Sequence, residues 1–525
     1  MVREKYDYPK RQEAKKVRKV ANYMSIPPKP SGGFYERTQG GIHPAVVEHY
    51  YKDRLVETAA TSVYLLQVMR AHICMLAKQE IIPREAAGKL AALLTSWQDG
   101  GGITAAMLDP ALEDLYINME HLVKQELGEE IAGMMPVARS RNDVEAAMWR
   151  LELREKLELL ATSAINHCEV LEARAAVHLA DPLPGYTYHQ QAQPLTLGFQ
   201  LSAASAALHR DAERIIDCLE RLDINPLGGA ALCGSGYPID RPYTSALLGF
   251  RETMDNCVDG VAACDYMLEA AYCGMQLLVT LGRLAEEVIK WCQNEVGFAS
   301  LPDSLIDSST IMPHKRNPVI PATVRAISRQ KAGEFAGIAA ACTVPFEASR
   351  DVTTTFDKAA QLVLAAWDMC EISAAYSEGI IFHPAKMRSA LSLSFAYSTE
   401  LADTLVREGG LTFRQAHSIV GGAVSQLFDA GASPEDMSYT LLNEWCLKIT
   451  GSSLPISAEV YHGACDIDEN IARRNHIGGT APTQVAHTLR ERIAVRARLR
   501  QRLEENSRRW QAGEEQLRQA CRNLV

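Results

Sequence analysis

A helical hydrophobic period, sustained over segments far longer than an ordinary helix, constrains this chain most. Between Ala146 and Leu171 the apolar residues Leu153, Leu157, Leu160, Ile165 and Val170 recur every three to five positions, with Glu, Lys and Arg between them. That spacing lays the apolar side chains along one face of a helix, which must then be buried against other helices. The same period returns across 195–222, 258–293, 318–341 and 356–375, separated by short stretches rich in Gly, Pro, Asp and Ser. Strand alternation is hard to place anywhere, so a doubly wound sheet finds no support. The expectation is an all-α chain of three helical domains around a long central bundle. The divisions are a polar N-terminal arm over 1–30, a helical domain over 31–135, the bundle over 136–382 and a C-terminal helical domain over 383–525. The last ends in a charged helix over 483–524.

At 525 residues and 47% hydrophobic content the chain can bury a large core. Its formal net charge of -10 gives no general attraction to nucleic acid or to an anionic membrane surface. Any cationic site for a small anion must be local. The first twenty residues are rich in Lys and Arg but carry no apolar run, and Glu4, Asp7 and Glu13 interrupt them, so they read as a polar arm rather than a targeting or spanning segment. Thirteen cysteines are scattered from Cys74 to Cys521 with no CxxC pair and no cysteine–histidine ligand spacing. They point to a reduced, cytoplasmic protein without structural zinc, and Cys257, Cys264 and Cys273 read as small buried apolar residues.

Chemistry concentrates in four loops between the long helices. In MPVARSRNDVE (135–145), Asn142 is a candidate N-cap with Glu145 completing a capping box, and Ser140 and Arg141 stand beside it. A cap and an anion site are compatible at one helix start. LPGYTYHQQAQPLTLG (183–198) carries Thr187, Tyr188, His189, Gln190 and Gln193; the histidine is as readily structural as catalytic. NPLGGAALCGSGYPIDR (225–241) lacks the order of a phosphate loop and reads as a shaped connection supporting a site. SSTIMPHKRNP (308–318) brings Ser309 and Lys315 to a helix start where Asn317 is the expected cap and Pro318 the first helical residue. Hydroxyls, amides and fixed cations, with almost no carboxylates, suit a substrate bearing carboxylates and a reaction that builds negative charge on one of them.

These residues also resemble a known family. SSTIMPHKRNP is similar to the signature of the fumarase, aspartase and argininosuccinate lyase superfamily, with Ser309, Met312, Lys315 and Asn317 matching and Ser308 in place of a glycine. ARSRND (138–143), PGYT and QAQP within 184–194, PLGGAALCGSGYPIDR (226–241) and STELADTLVREGGLTFRQAH (398–417) resemble argininosuccinate lyase in the same order. MPHKRNP looks more like the adenylosuccinate lyase version. The resemblance implies a homotetramer whose active sites draw on three subunits. It also implies reversible elimination from a succinyl-type dicarboxylate, releasing fumarate and an amine, with no metal or organic cofactor. It makes Ser309 the base, Lys315 the cation that stabilises its alkoxide, and Ser140, Arg141, Asn142, Thr187 and Asn317 binders of the succinyl carboxylates.

The sequence departs from that family in places that bear on chemistry. Pro136, Val137 and Val144 replace family residues around the ARSRND run, and Tyr188 stands where the family has its acid-side histidine. Tyr188 and His189 are both candidates for the general acid. FEASRDVTTTFD (346–357) differs from the family segment that helps hold the rest of the substrate, which points to a leaving group other than arginine. A catalytically silent homologue, and a relative running another elimination or a cycloisomerisation, are the alternatives.

Overall fold

The computed structural model describes residues 42–525, so the expected arm over 1–30 lies outside the described residues. The all-α expectation is borne out: helices dominate, and the strands are short. The central element is the helix Arg141–Val177, 37 residues long. At about 1.5 Å of rise per residue it spans about 55 Å. It packs along the helices Leu197–Leu222 and Arg350–Gly379, and both of these pack in turn against Asp265–Trp291. Leu153, Leu157, Leu160, Leu277, Leu281 and Val363 are fully buried where they meet. Each such side chain contributes about 1.5–3 kcal/mol relative to exposure.

Helix ends correct several expectations. The long helix starts earlier than the periodic stretch, because Ser140 rather than Asn142 is its N-cap and Asp143 rather than Glu145 closes the capping box. The Ser140 hydroxyl oxygen accepts the Asn142 N–H at 3.3 Å, and the Ser140 N–H donates to the Asp143 carboxylate at 2.9 Å. Ser140 has the extended backbone of an N-cap, with φ of -127° and ψ of 163°, whereas Asn142 already lies inside the first helical turn. Segment 258–293 divides into Cys257–Ala262 and Asp265–Trp291, with Ala263 extended between them. Helix 350–379 begins six residues before the expected start, where Ser349 caps it through the Asp351 N–H. Of the three cysteines read as buried, Cys273 is; Cys257 and Cys264 are half-buried.

The strands form two-stranded pairs, and the largest is the antiparallel hairpin Pro182–Thr187 with Gln190–Thr196. Residues between 397 and 464 have a core of their own, centred on Leu401, Leu405, Ile419, Leu442 and Tyr461. The final helix, Pro482–Arg522, returns to the large core through Val485, Leu489, Leu503, Trp510 and Leu517. Trp510 donates its indole N–H to buried Asp223 at 3.2 Å, and Arg509 pairs with the same carboxylate at 2.5 Å. No single helix among the described residues is long and apolar enough to cross a membrane.

Candidate active site

The expected site residues fall at the two ends of the 141–177 helix. At its N-terminal end, Ser140, Arg141 and Asn142 form the first turn. Arg141 Nη1 lies 2.6 Å from Asp114 Oδ2 and 3.5 Å from Glu113 Oε2. Burial lowers the Arg141 pKa, but Asp114, Glu145 and Glu113 outweigh it and hold the group above its ordinary value. The Arg139 side chain is fully buried and structural: it donates to the Met135 carbonyl at 3.0 Å and to the Tyr116 hydroxyl, and pairs with Glu120 at 3.4 Å.

Asp143 ties this turn to the glycine-rich connection. Its second carboxylate oxygen accepts the Gly228 N–H at 2.8 Å, and Gly228 has a φ of 93°, a conformation that favours glycine. A Cβ there would also meet the Arg241 side chain at 2.7 Å. Burial raises the Asp143 pKa against the N–H groups of Ser140, Gly228 and Ala230 that favour its charge. The connection thus acts as a support for the Ser140–Asn142 turn.

At the other end lie the hairpin and the serine loop. Thr187 pairs with Gln190, so Tyr188 and His189 are the two residues of the hairpin turn, with φ of 51° and 61°. Two positive φ values in a two-residue turn match the type I′ geometry usually filled by Asn-Gly. Tyrosine and histidine there carry strain, and Tyr188 is 98% exposed. Thr187 and Gln193 line a cleft of about 920 Å³ that reaches Ser398, Thr399, Arg474 and His476.

The serine loop is the tip of a second, smaller hairpin, in which Asp307 pairs with Asn317 and Ser308 with Arg316. Ser309 Oγ accepts the Met312 N–H at 3.1 Å, the Lys315 N–H donates to the Met312 carbonyl at 3.0 Å, and the Lys315 side chain is exposed. Asn317 is held in this ladder and does not cap the next helix. That helix starts at Val319, with Pro318 at the cap position and no side-chain cap. Its first N–H groups are therefore left for another acceptor. Arg316 anchors the loop by donating to the Leu301 carbonyl at 3.0 Å and pairing with Asp303 at 2.6 Å. The strand Ala299–Ser300 before it pairs with Ile381–Phe382, and the Phe382 ring meets His178 at 5.1 Å, just past the end of the long helix.

One chain therefore brings Ser309, Lys315 and Asn317 to the same end of the bundle as Thr187, Tyr188 and His189. It holds Ser140, Arg141 and Asn142 about a helix length away, about 55 Å. Sequence reasoning missed a group beside Arg141. Glu145, Asp114, Arg54, Glu152 and Asp357 line a cavity floored by Phe356, whose ring stacks on Trp149 at 4.9 Å. The available signal was the four-residue step from Arg141 to Glu145, which puts both on one helix face.

Residues 46–333 match a family model described as lyase, and residues 395–472 match one described as argininosuccinate lyase C-terminal. The argininosuccinate lyase of Methanothermobacter thermautotrophicus is 36% identical over 80% of this chain and 90% of its own length. That of Hyphomonas neptunium is 37% identical over 71% of this chain and 79% of its own length. Among solved structures, EDDS lyase in complex with formate is 29% identical, with a TM-score of 0.83 over 93% of this chain and 96% of its own. A class II fumarase from Schistosoma mansoni, 14% identical with a TM-score of 0.66 over 84% of this chain and 96% of its own, shares the fold. With the lyase match spanning more than half its length, this chain belongs to the argininosuccinate lyase-like members of the fumarase/aspartase superfamily, and it is a carbon–nitrogen lyase.

Proposed function

We propose that the enzyme eliminates an amine reversibly from an N-substituted aspartate, releasing fumarate, and that the amine is not arginine. The observation that carries the reaction is the serine loop. Ser309 Oγ receives a backbone N–H from Met312, with the exposed cation of Lys315 in the same loop and an uncapped helix start following. A serine hydroxyl acts as a base only when its alkoxide is stabilised, and these are the groups that stabilise one. Ser309 takes the proton beside one carboxylate, and the resulting dianion is held by cations and hydrogen-bond donors. Its electron pair then forms the double bond as the carbon–nitrogen bond breaks. The departing amine takes a proton from the hairpin turn, from Tyr188 or His189. Each well-aimed donor lowers the barrier by about 2–4 kcal/mol. Ser140, Arg141, Asn142, Thr187 and Asn317 bind the two carboxylates.

The helix length supports a homotetramer with shared sites, because Arg141 and Ser309 of one chain stand too far apart to touch one small substrate. A solved EDDS lyase variant, 28% identical with a TM-score of 0.83 over 95% of this chain and 99% of its own, holds fumarate, which supports the dicarboxylate. The altered leaving group rests on segment 346–357: Arg350 is exposed at its helix start and Phe356 and Asp357 line the cavity beside Arg141. Incubating the protein with fumarate and a panel of amines, and following loss of fumarate absorbance, tests the reaction. No loss with any amine refutes it. Argininosuccinate cleavage as efficient as that of other adducts refutes the altered leaving group. Mixing inactive Ser309→Ala and Arg141→Ala chains tests the shared sites, since activity returns only if subunits complement one another.

A further inference from the structure

The cavity beside Arg141 has a charge left over. Four carboxylates line it, from Asp114, Glu145, Glu152 and Asp357, against one guanidinium, Arg54. Three of the four are matched: Asp114 with Arg141 at 2.6 Å, Asp357 with Arg54 at 3.8 Å, and Glu152 Oε1 with Lys156 at 2.9 Å. Glu145 has no hydrogen bond and no ion pair within 4 Å among the described residues, and Arg54, Arg141 and exposed Arg350 act on it only from farther away. The second oxygen of Glu152 is a separate observation. The residue is 5% exposed, and Oε2 is buried without any hydrogen-bond partner. A buried carboxylate oxygen left unpaired is costly unless something fills the site.

The cavity volume of about 40 Å³ fits an ammonium group and the carbons next to it. Glu145 lies one helical turn beyond Arg141, so a substrate whose carboxylates sit at the Ser140–Asn142 turn reaches the cavity with its other half. We infer that this cavity is a specificity pocket for a second, cationic amino group on the leaving amine, with Glu145 as the residue that reads it and Glu152 Oε2 as an added acceptor. The inference rests on the proposed elimination and narrows its leaving group to amines with a further ammonium, such as α,ω-diamines. Burial raises the Glu145 pKa to about 7, with Asp114 adding to it against the three arginines, so a bound cation also draws the carboxyl into its charged form.

The test compares fumarate addition by diamines of two to four carbons with that by alkylamines of the same shape, at equal concentrations of reactive free base. In the wild-type enzyme the best diamine is expected to exceed its alkylamine match in kcat/KM by about thirtyfold, the lower end of what one partner of a buried charge pair is worth. In Glu145→Gln that ratio falls toward one, carried by KM; Glu145→Asp, which keeps the charge one methylene farther back, falls between. Equal rates for diamines and alkylamines in the wild type overturn the inference while leaving the elimination intact. A full diamine preference in Glu145→Gln and Glu145→Asp also overturns it. No turnover with any amine refutes the elimination itself and the pocket assignment with it.

Discussion

Asp143 offers the sharpest test of how the site is held. Replacing it with alanine removes the hydrogen bonds donated to a charged acceptor by Ser140 N–H at 2.9 Å and Gly228 N–H at 2.8 Å, together with the weaker support of Ala230 N–H, and leaves the first two donors without partners. Bonds of this kind contribute about 1.5–3 kcal/mol each. The gain is offset in part because burying the carboxylate has a cost of its own, visible in its raised pKa. A net loss of about 3 kcal/mol follows, felt locally, because the connection keeps other anchors. Leu227 N–H still donates to Asn225 Oδ1 at 3.0 Å, and Arg241 Nε to the Leu227 carbonyl at 3.0 Å. Hydrogen exchange read by mass spectrometry should therefore accelerate by about a hundredfold in peptides covering 140–145 and 226–234, the factor that about 3 kcal/mol implies. The core helices should exchange at their old rates, while kcat/KM falls. Asp143→Asn, which keeps one acceptor oxygen, should sit between. Unchanged exchange in both peptides, or an equal rise throughout the protein, refutes the idea that Asp143 locks the Ser140–Asn142 turn to the glycine-rich connection.

Ser309→Ala should lower turnover by about a thousandfold with the fold intact by circular dichroism, and near-normal turnover would assign the base elsewhere. Tyr188→Phe should lower kcat by about a hundredfold and His189→Ala by much less; the opposite ranking would make His189 the acid. Combining Tyr188→Asn with His189→Gly should preserve the hairpin, since an Asn-Gly pair suits two positive φ values, yet abolish catalysis. Stability should depend on pH through Glu145. Its pKa rises from 4.5 to about 7 in the folded protein, so the folded state holds the proton more tightly, and stability falls as pH climbs through that window. Glu145→Gln should match the wild type near pH 4 and exceed it by up to about 3 kcal/mol above pH 7, as read by urea unfolding. A constant difference across pH would remove Glu145 as the titrating group.

The long helices were legible because their signal is repetitive: an apolar stripe repeated over five or more turns outweighs any single residue. Their ends were not, because Asn142 and Asn317 are good caps in isolation while the caps used are Ser140 and Pro318. Asn317 is drawn into pairing with Asp307, a contact across a loop that local propensity does not contain. The hairpin 182–196 was hidden for a similar reason. Prolines at 182, 184 and 194 and a bulge between Pro184 and Tyr186 obscure strand alternation, and the turn residues are not those a type I′ turn prefers. The polar make-up of the serine loop was visible as composition, and so was that of the Ser140–Asn142 turn. Of the cavity only the step from Arg141 to Glu145 was legible, since Arg54, Asp114 and Asp357 come from separate stretches and meet only after packing.

The 37-residue helix from Ser140 to the hairpin also sets a rule for how such a chain can vary. One residue inserted in its middle turns everything beyond it by about 100° and advances it by about 1.5 Å. The interior can exchange one apolar side chain for another of similar volume, but a single insertion or deletion would aim Arg141 and the hairpin tip in unrelated directions. Seven added residues nearly restore the rotation while pushing the ends about 10 Å farther apart. The helix thus works as a gauge whose graduation is the residue count, tolerant of spelling and intolerant of length.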